Sequence, residues 1–172
     1  ELNLLWMVTR RHLGDSPFQI SPVSLRGFLV NLLATLRQLK QFNLEEPSLE
    51  KVKRSLESKY IRERWAFVAS VYSDFEEALS ARGLVDEVGV FHYVARHAGQ
   101  ADLRGLGIRR ILLHHLVDMT PAQAVMFRAL KDAGLEVRLV LEEIPAVFEP
   151  AFENRLRALI GQIETDYVAP AI

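Results

Sequence analysis

Two adjacent histidines, His114 and His115, are the polar residues whose placement comes nearest to that of a ligand site. They end a short apolar run, residues 110–115, which is typical of a strand covered on both faces. Ligands of α/β folds bind at the carboxyl ends of such strands. Neighbouring residues on a regular strand point to opposite faces, so the two imidazoles cannot chelate one metal ion. We therefore predict no metal site and interpret both histidines as hydrogen-bond partners of backbone or water.

A phosphate-binding loop is missing from the sequence. Such a loop needs glycines that present backbone N–H groups to the anion, with a lysine at the start of the following helix. The nearest candidate, residues 105–107, precedes a predicted strand, and we interpret it as a plain turn. The chain has no cysteine, which excludes disulfides, thiolate zinc sites and a cysteine nucleophile. We expect no catalytic residue and no bound cofactor.

Other polar residues have structural roles available to them. Ser21 and Thr120 each stand before a predicted helix, where a hydroxyl group caps free backbone N–H groups, and Asp118 can bond the amides of a turn. Adjacent acids at residues 76–77 and 86–87 do not share a helix face. We interpret these acids as solvated surface and not as a general acid–base pair.

Four arginines are the candidates for contacts with DNA phosphates: Arg62, Arg64, Arg109 and Arg110. Acidic residues lie near each of them in sequence, so a solvated or partner-facing surface is an equally good interpretation. The formal net charge of the chain is −1, which gives no overall field that steers polyanions. Any contact with nucleic acid is therefore expected to be local and salt-sensitive.

Helical periodicity runs through the first hundred residues. Apolar residues recur every three or four positions in predicted helices at residues 22–42 and 60–82, and Pro47 and a capping Asp86 open two shorter helices. The aromatic stripe of the 60–82 helix matches the helical period, which favours core packing over a base-stacking surface. Its members are Trp65, Tyr72 and Phe75.

The remaining chain predicts a strand, a helix and a second strand. Residues 120–123, Thr-Pro-Ala-Gln, form a capping box with proline at the first helical position, and residues 135–141 alternate as in a strand. A spacing of about 33 residues is that of a βαβ unit with parallel strands. A last helix is predicted after Pro150. The fold class is α/β: a helical subdomain over 1–100, then a βαβ subdomain over 101–172 whose missing strands are expected outside this sequence.

Three segments together resemble the central part of the AddB-like, PD-(D/E)XK nuclease family of bacterial recombination proteins, relatives of superfamily 1 helicases. They are residues 21–39 (Ser-Pro, an apolar helix, then R-Q-L), residues 65–86 (with Y-S-D-F-E-E-A-L and a later Asp) and residues 111–123 (I-L-L-H-H-L-V-D-M-T-P-A-Q). In active helicases the strand equivalent to the one in residues 111–114 ends in Asp-Glu, which hold Mg²⁺. His114, His115 and Asp118 mark that place here, and an imidazole offers no carboxylate to magnesium. The resemblance implies a degenerate Walker B motif.

The resemblance further implies a fragment of a P-loop helicase-like fold within a larger cytoplasmic helicase-nuclease of double-strand-break repair. Its role would be structural and DNA-guiding, its partners DNA and a helicase-nuclease subunit, with ATPase and nuclease chemistry elsewhere in the parent protein. Two alternatives remain: a helical module for protein–protein interaction, and a small nucleotide-dependent α/β enzyme, which would need a phosphate loop or an acid pair. No apolar run approaches the ~20 residues that span a bilayer, so no membrane partner is expected.

Overall fold

A computed structural model describes residues 1–44, 46–103, 105–114, 119–142, 154, 157, 158, 160 and 164–168. In these ranges the chain forms α1 (Leu2–Thr9), α2 (Leu25–Gln41), α3 (Glu46–Ser55), α4 (Lys59–Ser80), α5 (Gly89–His97), β1 (Arg110–His114), α6 (Pro121–Asp132), β2 (Glu136–Glu142) and β3 (Glu164–Val168). The chain divides into two compact units, Glu1–Gly89 and Val90–Ile172. None of the helices in the described ranges combines the length and the apolarity needed to cross a membrane.

The first unit is helical, and its core lies where α1, α2 and α4 pack together. Each of these helices has an apolar stripe that is almost fully buried, which removes its side chains from water and stabilises the packing. The most buried of these side chains are Leu5, Val8, Leu32, Leu36, Phe67, Val71 and Phe75. The helix α1 is not predicted from the sequence. Of the aromatic stripe predicted for α4, Phe75 is buried in the core, whereas Trp65 and Tyr72 are partly buried and pack against it.

The start of α2 differs from the prediction. The sequence predicts a helix from Pro22, but residues 22–24 form a turn and α2 begins at Leu25. The reason is local: the Ser24 N–H donates to Ser21 Oγ at 3.3 Å, and the Ser24 hydroxyl donates to the Ser21 carbonyl at 3.1 Å. Ser21 therefore closes a turn before the helix instead of capping the helix itself.

The limits of the other helices in this unit follow their sequence signals. Ser58 caps α4, its Oγ accepting from the Ile61 N–H at 3.5 Å. Gly83 follows α4 with a φ of +62°, the left-handed conformation that ends helices and that glycine adopts without steric cost. The capping role predicted for Asp86 is confirmed, because its Oδ1 accepts from the N–H of Gly89 at the start of α5.

The second unit contains a parallel sheet. β1 pairs in parallel with β2, Arg110 opposite Glu136 and His114 opposite Val140, and α6 connects the two strands. The prediction of a parallel strand–helix–strand over residues 109–141 is therefore confirmed. The Thr120 hydroxyl accepts from the Gln123 N–H at 3.3 Å while the Gln123 side chain accepts from the Thr120 N–H at 2.9 Å, which confirms the capping box.

Two expectations about this sheet are wrong. A third strand, β3, lies within the chain and pairs in parallel with β2, giving the order β1-β2-β3. Three of its five residues are polar, so it lacks the apolar run expected of a buried strand. The second error concerns coverage: Leu112 of β1 is 57% exposed, and among the residues that the structure describes the sheet packs into a core through the face with Leu113, Val137 and Leu139. The helix predicted after Pro150 falls largely outside the described residues.

Candidate functional site

The carboxyl end of β1 is a candidate ligand site, because parallel strands bring their carboxyl ends to one edge of the sheet, where α/β folds bind ligands. His114 is the last residue of β1, and its side chain is exposed. His115 and Asp118, the other two residues of the predicted degenerate Walker B position, lie outside the described residues. Within the ranges that the structure describes, no group of three or more His, Asp or Glu side chains is placed to hold a metal ion.

The amino end of α6 is poorly suited to an anion. A helix start binds phosphate through the free N–H groups of its first turn. Pro121, the first helical residue, has no N–H group. The N–H groups of Thr120 and Gln123 are both engaged in the capping box. A nucleotide phosphate at this edge would therefore have to displace two hydrogen bonds that already satisfy the helix start.

The predicted DNA-contacting arginines belong to different units: Arg62 and Arg64 to the first, Arg109 and Arg110 to the second. Arg110 Nε lies 2.7 Å from Glu136 Oε2, and Arg138 donates to the other oxygen of the same carboxylate. The hydrogen bond from Arg110, then that from Arg138, holds the pKa of Glu136 below its ordinary value. Arg110 is thus already paired with an acid, which weakens its case as a phosphate contact.

Arg64 has a different setting. Its guanidinium lies over two aromatic rings, 4.5 Å from the centroid of Phe18 and 4.8 Å from that of Tyr60. Tyr60 and Arg64 are four residues apart on α4 and so share one face of the helix. Arg62, two positions from each, is exposed on another face. A stacked guanidinium uses its flat face and keeps its N–H edge available for an anion.

These side chains border an open groove of about 730 Å³ in the first unit. Two segments form the groove, residues 17–31 and the first turns of α4. Its lining residues include Phe18, Gly27, Phe28, Asn31, Tyr60 and Arg64. Phe18 packs edge-on against the buried Phe67, with ring centroids 5.3 Å apart, and tilted against Phe28 at 5.4 Å. This aromatic cluster ties the groove wall to the core of the unit.

The groove is not predicted from the sequence. Phe28 lies within the helix predicted at residues 22–42, and the sequence predicts no role for Phe18 or Tyr60. One signal is present in the sequence: Tyr60 and Arg64 stand seven and three residues before the buried Phe67, so they continue the buried face of α4 toward its amino end. The approach of Phe18 to Arg64 depends on the loop before α2 folding back onto α4, which no local pattern announces.

A His–Asp pair in the first unit was also missed. His12 Nε2 lies 2.9 Å from Asp74 Oδ2, and both side chains are partly exposed. Such a pair supports nucleophilic catalysis when the imidazole also bonds a hydroxyl or thiol group. Among the described residues, the hydrogen bond to Asp74 is the one that the imidazole makes. We interpret the pair as a link between the end of α1 and α4.

A buried lysine forms the third polar cluster. Lys40 Nζ donates to Glu76 Oε1 at 2.7 Å and to Asp86 Oδ1 at 2.8 Å, and the Lys40 and Asp86 side chains are 8% and 3% exposed. The prediction that residue 86 belongs to solvated surface is wrong for this reason, whereas Glu76 remains partly exposed, at 34%. The Lys40 ammonium and the Asp86 carboxylate neutralise each other and are closed off from solvent, so this pair offers no access to a substrate.

No protein-family model, no curated protein and no solved structure matches this chain. A functional conclusion therefore depends on the residues and geometry described above.

Proposed function

We propose that this chain is a non-catalytic, helicase-like segment of a larger bacterial helicase-nuclease that processes DNA double-strand breaks in the cytoplasm. Its role there is to support the parent protein and to guide DNA, together with a partner subunit. The proposal starts from the resemblance of residues 21–39, 65–86 and 111–123 to the AddB-like nuclease family.

The observation that carries the proposal is the parallel strand–helix–strand whose first strand ends in His114. Helicase ATPases hold magnesium with carboxylates at such a strand end. An imidazole gives a hard cation no carboxylate, and the capping box occupies N–H groups that a phosphate would use. The arrangement supports a helicase-like scaffold without ATP chemistry.

A thermal melt with magnesium-ATP tests the non-catalytic part. A ligand present at 100 times its dissociation constant stabilises the folded state by about 2.7 kcal/mol, which raises the melting midpoint by several degrees. We expect no shift at millimolar Mg-ATP and no phosphate release. If Mg-ATP clearly raises the melting midpoint and the His114→Ala variant shows no such rise, a small nucleotide-dependent α/β enzyme would be the better proposal.

Fluorescence anisotropy with a labelled oligonucleotide tests the DNA-guiding part. Scattered arginines release few counterions, so we expect weak binding at 50 mM salt that is largely lost at 200 mM. Sub-micromolar duplex binding that persists at 200 mM salt would contradict this, because it requires a larger basic surface.

A protein-interaction module is the second candidate, and one observation favours it. Leu112 is 57% exposed on the face of β1 opposite to the core, although parallel sheets are ordinarily covered on both faces. A reading frame that extends well beyond these 172 residues on both sides would favour the helicase-nuclease segment. A short complete frame would favour the interaction module.

A further inference from the structure

We propose that the groove formed by residues 17–31 and 60–64 binds single-stranded nucleic acid, with a base stacked on Tyr60 and a phosphate held by Arg64. The inference rests on the proposed DNA-guiding function and adds to it the form of nucleic acid and the surface that binds it.

The aromatic lining is the first argument. Tyr60 is 55% exposed, which leaves much of its ring open beside the groove, while Arg64 lies over the ring at 4.8 Å. Proteins that bind single strands stack bases on such exposed rings, and arginine adds to the same platform. The bases of a duplex are stacked inside the helix and cannot reach a ring in this way. The aromatic lining therefore favours single strands.

Local charge is the second argument. Arg64 carries a formal charge of +1 among the described residues that line the groove, whereas the whole chain carries −1. The groove wall is thus basic on a weakly acidic protein, which suits a polyanion. The side-chain amide of Asn31 adds both a donor and an acceptor for base edges.

Open space along α2 is the third argument, and it supplies a test. A Cβ atom built at Gly27 meets no other atom within 4 Å, so the helix backbone there faces free volume along the groove. A larger side chain at this position can fill the groove without a clash. Replacing a helical glycine also does not weaken the helix, since glycine is a poor helix former.

The experiment measures binding of the full chain to a labelled oligothymidylate of about 12 nucleotides, within the site sizes known for single-strand binders. The variants are Tyr60→Ala, Arg64→Ala and Gly27→Leu. The matched control is Tyr93→Ala, because Tyr93 on α5 is also about half exposed, at 49%. Circular dichroism of each variant checks that the helices remain folded.

We expect Tyr60→Ala to weaken binding by about tenfold, the loss of one stacked base, and Tyr60→Trp to retain it. The phosphate contact of Arg64 contributes about a 2.6-fold loss of affinity between 50 and 200 mM salt, so Arg64→Ala should reduce the slope of log K against log[salt] by about 0.7. Gly27→Leu should weaken binding while the protein stays folded. Tyr93→Ala should bind like the wild type.

The contrary outcomes separate this inference from the proposed function. If the oligonucleotide binds and the three groove variants bind it like the wild type, the groove is not the site, while the DNA-guiding proposal stands. If the wild type binds poly-glutamate through Tyr60 and Arg64 but binds no oligonucleotide, the groove takes an acidic peptide and the inference is wrong. If the wild type binds neither, both proposals fail.

Discussion

Replacing Lys40 by methionine is expected to destabilise the first unit by about 3 kcal/mol. The change keeps the length of the side chain but removes the ammonium group that contacts Glu76 and Asp86 at 2.7 and 2.8 Å. Breaking a buried ion pair on one side costs about 3–5 kcal/mol, since the remaining charge is left uncompensated. The lower end applies here because Glu76, 34% exposed, can turn to water, while Asp86, 3% exposed, cannot.

Tryptophan fluorescence in a urea titration is a suitable assay. The protein has two tryptophans, Trp6 and Trp65, and both lie in the first unit, so their emission reports the unfolding of that unit. With a slope of about 1.5 kcal/mol per molar urea, a loss of 3 kcal/mol lowers the midpoint by about 2 M. Lys53→Met is the control: Lys53 pairs with Glu50 on the surface of α3, and that pair contributes at most about 0.5 kcal/mol.

A double variant tests the stated cause. Asp86→Asn removes the carboxylate charge but keeps an oxygen that can accept from the Gly89 N–H. The Lys40→Met, Asp86→Asn pair should therefore cost clearly less than the sum of the two single changes. The explanation by an uncompensated buried charge would be refuted if Lys40→Met lowered the free energy of unfolding by less than about 1 kcal/mol. It would also be refuted if the losses of the two single variants added up to that of the double variant.

Two further changes follow from the same contacts and from the sheet. Gly89→Ala would place a Cβ atom 2.5 Å from Asp86 Oδ1, an oxygen that accepts a hydrogen bond from Lys40. We therefore expect the free energy of unfolding, measured by the urea titration, to fall by about 1–3 kcal/mol. A gain in stability would contradict this geometry. Glu136 has a lowered pKa in the fold and its ordinary value of 4.5 when unfolded, so its stabilisation is present above that value and is lost as the pH falls through the folded pKa. Melts followed by circular dichroism from neutral to about pH 3 should therefore show a smaller acid-induced loss in Arg110→Ala than in the wild type, and equal losses would exclude the pair as the cause.

The parts of the fold that sequence predicted are those in which several local signals agree. At residues 120–123 the capping box, the proline and the apolar pattern all indicate one helix start, and α6 begins there. β3 had no such support, since its residues are Glu-Thr-Asp-Tyr-Val and its place beside β2 is a long-range pairing. Leu112 shows a similar limit: an apolar run predicts a strand, but it does not say which faces are covered.

The polar sites depend still more on tertiary structure. The acids that Lys40 contacts lie 36 and 46 positions away in sequence. The sequence predicts Asp86 as a helix cap, but no local pattern predicts its ion pair with Lys40. The groove combines one local feature, the four-residue spacing of Tyr60 and Arg64, with the distant Phe18. The sequence could thus predict that Arg64 meets Tyr60, but the contact of Arg64 with Phe18 is known only from the folded chain.

Binding without turnover is the function that we propose from these features. At the carboxyl edge of the sheet, two independent features act against nucleotide chemistry: the strand ends in an imidazole, and the helix start has a proline and two occupied N–H groups. Changing His114 to an acid would remove the first obstacle and leave the second. The groove, by contrast, combines an open ring, a stacked guanidinium and a positive local charge without any group placed for proton transfer among its described lining residues. Such a surface can hold and orient an anionic strand while the chemistry takes place elsewhere.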